Sequence, residues 1–201
     1  MHDLEIRSIL RNDLQRKYGG NPDTEVIDEL TIGGGRSRID LALVNGVLHG
    51  FELKSDFDTL RRLPEQVQVY GTVCDRVTLV VGERHAGQAV QLVPDWWGIL
   101  VVRSGRQRAI FRALKLPQIN PSLDPLAIAR LLRRSEAAAV VSELGFAEPN
   151  HRASRQELCL FLARYVELPF LCHRVRNCLR ARRSAAKPRT YGGSVQPESK
   201  F

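Results

Sequence analysis

Apolar and polar positions alternate strictly along two neighbouring stretches. Ile39, Leu41 and Leu43 alternate with Arg38, Asp40 and Ala42. Val47, His49, Phe51 and Leu53 alternate with Leu48, Gly50, Glu52 and Lys54. A period of two predicts a β-hairpin over residues 38–54, turned at Asn45-Gly46. The turn decides which side chains meet. A two-residue turn pairs Val44 with Val47 and sets the apolar residues of the two arms on opposite faces. A three-residue loop of Val44, Asn45 and Gly46 pairs Leu43 with Val47 instead. It gathers Ile39, Leu41, Leu43, Phe51 and Leu53 on one face and Asp40, Gly50, Glu52 and Lys54 on the other. That register, which the hydrophobic pattern selects, places Asp40 across from Gly50.

The same patterning predicts the remaining elements. Residues 3–17 form a helix with Leu4, Ile9, Leu10 and Leu14 as its apolar stripe, ended by Gly19-Gly20. Residues 24–32 form a first strand, and Gly33-Gly34-Gly35 turns into the hairpin. A loop rich in capping residues follows Lys54. Pro64 then opens a helix that runs to about Cys74. The β-branched run 76–81 reads as a buried central strand. Residues 86–93 fit a short helix, and Trp96 to Val102 a last strand, with the tryptophans closing the core. Residues 103–122 read as a basic linker. Helices are expected within 124–144 and over 154–164 and 169–183, before a polar, disordered tail from 184. The order is helix, three-strand meander, helix, strand, helix, strand. This is an α/β domain over 1–102 with a mixed central sheet, plus a C-terminal α-helical appendage over 123–183.

Charge changes the picture in one place. The chain of 201 residues carries a net charge of +8. Residues 1–122 hold 16 Lys and Arg against 15 Asp and Glu, whereas residues 123–201 hold 14 against 7. A basic C-terminal part suits a polyanion, above all nucleic acid, although a solvated helical face has the same composition. No apolar run is long enough to cross a bilayer, and the N-terminus lacks the features of a signal peptide, so a cytoplasmic protein is expected. Cys74, Cys159, Cys172 and Cys178 show no C-x-x-C pairing. Buried reduced thiols fit them better than a zinc site built from Cys172, His173 and Cys178.

Candidate chemistry sits on the polar face of the hairpin. Asp40 and Glu52 form a hard-oxygen pair suited to Mg²⁺ or Mn²⁺, and Lys54 points the same way. The plain reading is a solvated polar face. Glu29 approaches the same place from the first strand. Gln66 and Tyr70, at i and i+4, share a helix face.

An acid on the second strand (Asp40), Glu52-Leu53-Lys54 on the third and Gln66-x-x-x-Tyr70 on the next helix together resemble the PD-(D/E)XK nuclease superfamily, with the RecB-like Q-x-x-x-Y feature. The run from Asp28 to Tyr70, with PDWWGI later, is similar to a bacterial family carrying this nuclease-like domain. The resemblance covers residues 3–102 and implies a restriction-endonuclease-like αβββαβ core. It further implies a Mg²⁺- or Mn²⁺-dependent nuclease, a phosphodiesterase acting on nucleic acid, with DNA expected. Asp40, Glu52, the Leu53 carbonyl and Glu5 would hold the metal, Glu5 being equally readable as a first-turn acid favoured by the helix dipole. Lys54 would position water, and Gln66 and Tyr70 would place the nucleic acid. Arg36, Arg38, Arg61 and Arg62, with the basic helices carrying Arg174, Arg176 and Arg180, would hold its backbone. The alternative is a non-catalytic nucleic-acid-binding module, or a subunit that docks a protein partner or a second copy.

Overall fold

The computed structural model describes residues 2–105, 109–145 and 153–186. Helix α1 (Asp3–Tyr18) starts the chain, with acids in its first turn and Arg16 and Lys17 in its last, the arrangement the helix dipole favours. Strands β1 (Glu25–Ile32), β2 (Ser37–Val44) and β3 (Leu48–Lys54) follow as an antiparallel meander. Helix α2 (Leu63–Gly71) crosses over to β4 (Arg76–Gly82), which lies parallel to β3. Helix α3 (Ala86–Leu92) crosses to β5 (Gly98–Ser104), parallel to β4, and β6 (Ala109–Lys115) returns antiparallel. The six strands stand in chain order in one mixed sheet. Four helices complete the described chain: α4 (Pro125–Ala129), α5 (Arg134–Glu143), α6 (Arg155–Tyr165) and α7 (Leu168–Ala186). No described helix is long and apolar enough to cross a membrane.

The sheet is buried on both faces, so the hairpin has no solvated side along most of its length. On one face, Ile6, Leu10 and Leu14 of α1 cover Leu41, Leu43, Phe51, Leu53 and Val80. The working stripe of α1 is thus i, i+4, i+8 from Ile6, whereas Leu4, expected inside, is 75% exposed. On the other face, Ile39, Ala42, Val44, Leu48, Leu79 and Val81 meet α2, α3 and the C-terminal helices. Ile39 therefore departs from Leu41 and Leu43, with which the alternation grouped it.

The hairpin register also differs from expectation. Val44 pairs with Leu48, and Gly50 stands across from Ala42 rather than Asp40. The loop is Asn45-Gly46-Val47, one residue later than expected, with Gly46 at φ 93°, a conformation that suits glycine. Leu41, Leu43, Phe51 and Leu53 still share a face because the pairing has slid by two positions, and an even slide preserves sidedness; Ile39, beyond Asp40, which the strand register skips, is the exception.

Two further corrections concern the second half of the chain. The stretch 103–122 is no plain linker, because β6 lies within it as an edge strand. Its alternation (Ile110, Arg112 and Leu114 exposed) is diluted by basic residues and followed by Pro117. The C-terminal helices also share one apolar core with the sheet. Ile128, Leu132, Val141, Leu158, Leu162, Leu171 and Val175 belong to the same cluster as Val44, Leu48 and Val77. Asn120 secures this junction, its Nδ2 donating to the carbonyls of Gly71 (2.7 Å) and Cys74 (2.9 Å). The tail from 187 lies outside the described residues.

Candidate functional site

The residues singled out on β2, β3 and α2 do come together, at the end of the sheet beneath α1. Glu52 sits on β3, a central strand flanked by β2 and β4, and is 1% exposed. Its carboxylate accepts from Lys54 Nζ at 2.5 Å and Gln66 Nε2 at 2.6 Å, and the Tyr70 hydroxyl bonds its other oxygen. Tyr70 is fully buried, with its hydroxyl also 3.1 Å from the Arg38 carbonyl and its ring against Trp97. Burial, then the Glu52 charge and hydrogen bond, raise its pKa well above the usual phenol value. The tryptophans close this part of the core as expected, Trp97 being fully buried.

Asp40 is engaged just as fully. Its Oδ2 accepts from the Leu53 backbone N–H at 2.9 Å, and its Oδ1 from Arg7 at 3.0 Å. Burial first, and Glu52 beside it second, push its pKa up to about 7, outweighing the Leu53 N–H and Arg7. Arg7 also reaches Glu29 at 2.8 Å and Asp3 at 3.2 Å. Glu29 adopts φ 55°, left-handed for a non-glycine residue, while its carboxylate holds Arg7 and, at 3.3 Å, Arg38. Asp3 and Arg7 were not anticipated. Their spacing of four on α1 is the signal that could have found them. Glu5 is exposed on α1 and does not line this cleft.

The cleft above the cluster, of about 620 Å³, is lined by both signs of charge: Asp3, Asp40, Asp58 and Glu65 beside Arg7, Arg36, Arg38 and Arg62. Every oxygen of Asp40 and Glu52 already accepts a hydrogen bond from a protein donor, two of these from cationic side chains. Among the described residues no group of three or more His, Cys, Asp or Glu is placed to hold a metal ion.

A second feature adjoins this cleft at the Gly33–Gly35 bend. A groove of about 540 Å³ runs between that bend and the C-terminal helices, lined by Arg130, Arg133, Arg134, Arg155 and Arg182 and by no acid. Arg182 is paired with Glu136. Arg155 donates to the carbonyls of Leu132 (2.8 Å) and Arg130, which fixes its position without neutralising its charge. Arg130 and Arg133 are exposed, and the ion pairs within the described residues do not include them. A further recess of about 570 Å³ links Arg36 to Arg130 and Arg155 past Gly33 and Gly34.

The basic residues expected to hold a backbone divide sharply. Arg36, Arg38 and Arg62 line the cleft, and Arg61 is exposed outside it. Arg174, Arg176 and Arg180 bind the protein itself. Arg174 pairs with Glu143. Arg176 reaches Asp75 at 2.9 Å and the Gly46 carbonyl at 2.5 Å, and Arg180 reaches Asp23 at 3.2 Å. The excess charge that pointed to α7 is therefore largely internal bracing. All four cysteines are free, three of them buried.

The family described as Bacteriophage P4 protein cII matches residues 2–191. The chain belongs to that family. A relative, Protein cII of Enterobacteria phage P4, is 27% identical over 154 residues, covering 76% of this chain and 58% of the relative. The chain thus spans less than two thirds of the length of that relative. No solved structure matches it.

Membership of the P4 cII family overturns the resemblance to PD-(D/E)XK nucleases and to the bacterial nuclease-like family. With it go the expected nuclease function, the phosphodiesterase activity and the description as a hydrolase. The physical reason the motif misled is visible in the cluster. An acid, E-x-K and Q-x-x-x-Y at this spacing also describe a buried carboxylate ringed by its own donors, which is the arrangement found here.

Proposed function

We propose that this P4 cII family member binds nucleic acid through its phosphate backbone, in the arginine-lined groove between the Gly33–Gly35 bend and the C-terminal helices. The observation that carries the reading is the convergence of Arg130, Arg133 and Arg155 on one groove without a lining carboxylate, beside Arg182, which Glu136 already pairs. Like charges held together in this way repel one another unless an anion joins them. The recess past Gly33 and Gly34 extends the groove as far as Arg36, which also borders the cleft of mixed charge. In this reading the Asp40–Glu52 cluster is a structural clasp that holds α1, β2, β3 and α2 in register beneath the path.

Backbone binding predicts a strong salt dependence, because each neutralised phosphate releases condensed counterions. The test is affinity against salt concentration for labelled DNA and RNA, with Arg130→Ala and Arg133→Ala variants. Each substitution should flatten the log–log slope by roughly 0.7–0.9 and leave the melting temperature unchanged. Wild-type slopes retained in both variants would remove the groove from the interface.

A further inference from the structure

Resting on the nucleic-acid reading above, we propose that Phe57 is a stacking platform for an unpaired base and that the ligand is single-stranded nucleic acid. The loop between β3 and α2 carries the ring, and that loop is rigidly held. The Asp58 carboxylate accepts from the Ser55 backbone N–H at 2.7 Å and from the Ser55 hydroxyl at 2.5 Å. The Arg84 N–H donates to Asp56 Oδ1 at 3.0 Å, and a ring nitrogen of His85 lies 3.0 Å from the Asp58 carbonyl. Gly82 leaves Asp56 its room, since a Cβ there would stand 2.1 Å from Asp56 Oδ1.

A loop braced on both sides of Phe57 nevertheless displays that ring in water, 68% exposed. Leaving a large aromatic surface hydrated forgoes its main contribution to folding. His2 stacks on one face of the ring, with centroids 4.6 Å apart and planes 15° from parallel, so a base would take the other face.

Position identifies the ligand class. Phe57 stands just outside the cleft that Arg36 and Arg38 share, next to Asp58, which with Arg62 of the same loop lines it. A strand whose phosphates follow the arginines would carry its bases past the loop. Inside a duplex each base face is already covered by its neighbours, so an internal base has none to offer. A single strand offers one at every nucleotide, and base–aromatic stacking is tolerant of sequence.

The test compares a fluorescent single strand with the matching duplex by anisotropy, for wild type, Phe57→Ala and Phe57→Tyr. Phe57→Ala should weaken single-strand binding about tenfold and leave duplex binding and the salt slope unchanged, since no charge is lost. Phe57→Tyr should keep wild-type affinity. Unchanged single-strand affinity in Phe57→Ala, or equal loss on both ligands, overturns the platform while leaving the arginine groove intact. A wild-type protein that binds neither ligand overturns both readings together.

Discussion

The clasp around Glu52 and the arginine groove lie on either side of the same glycine bend, and they treat charge in opposite ways. In the clasp, every carboxylate oxygen of Asp40 and Glu52 has a donor from the protein. In the groove, Arg130, Arg133 and Arg155 have no carboxylate within ion-pairing distance among the described residues. A set of charges that is complete within the chain holds the fold together. A set that is incomplete is available to something else. Counting residue types cannot separate these cases, because both regions are rich in charged residues.

Glu52→Ala should have the largest effect. It strips the partner from Lys54, which is 6% exposed, and from Tyr70 and Gln66. Removing one member of a buried ion pair costs about 3–5 kcal/mol, to be read by denaturant unfolding. Nucleic-acid affinity of the folded variant should be unaffected. A stable Glu52→Ala protein that no longer binds would make the cluster functional and reverse the assignment of the two regions.

Arg176→Ala comes next. It removes the guanidinium that ties α7 to Asp75 and to the β2–β3 loop at Gly46. A charge-assisted hydrogen bond of this kind contributes about 1.5–3 kcal/mol, so unfolding should shift by that order. The slope of affinity against salt should stay at its wild-type value, in contrast to Arg133→Ala. A flatter slope would return α7 to the interface.

A third effect concerns pH. Asp40 has its pKa raised from 3.8 to about 7, chiefly by burial and secondly by Glu52. The folded protein therefore holds this proton more tightly than the unfolded chain. The contribution is fully present below the unfolded pKa of about 4 and is lost as pH rises through about 7. Stability measured across that window should include a declining component that Asp40→Ala abolishes. An identical pH profile in the variant would show that Asp40 titrates normally.

The architecture was readable because it rests on local periodicity. The period-two alternation of 38–54, the β-branched run of β4 and Pro64 at the head of α2 each depend on a few neighbouring residues. Where the local signal was weak, the element was missed: β6 is an edge strand with four exposed residues, and edge strands need little hydrophobic patterning. The candidate cluster was legible in the same way, since Asp40, Glu52, Lys54, Gln66 and Tyr70 follow from strand and helix periods. Its other half was not, because Arg7 and Glu29 meet Asp40 only when α1 packs on the meander.

The residue pattern alone is enough for the order and type of most elements, the sidedness of the hairpin apart from Ile39, and the gathering of the acidic cluster. These are consequences of period and turn chemistry acting over a few residues. Only the tertiary structure decided what those charges do. Whether an arginine is available depends on whether a carboxylate from a distant element reaches it. For Arg176 the partner is Asp75, about a hundred residues away, and for Arg133 no such carboxylate lies within the described ion pairs. Coulomb attraction is set by distance in space, and distance in space is what a linear pattern does not contain.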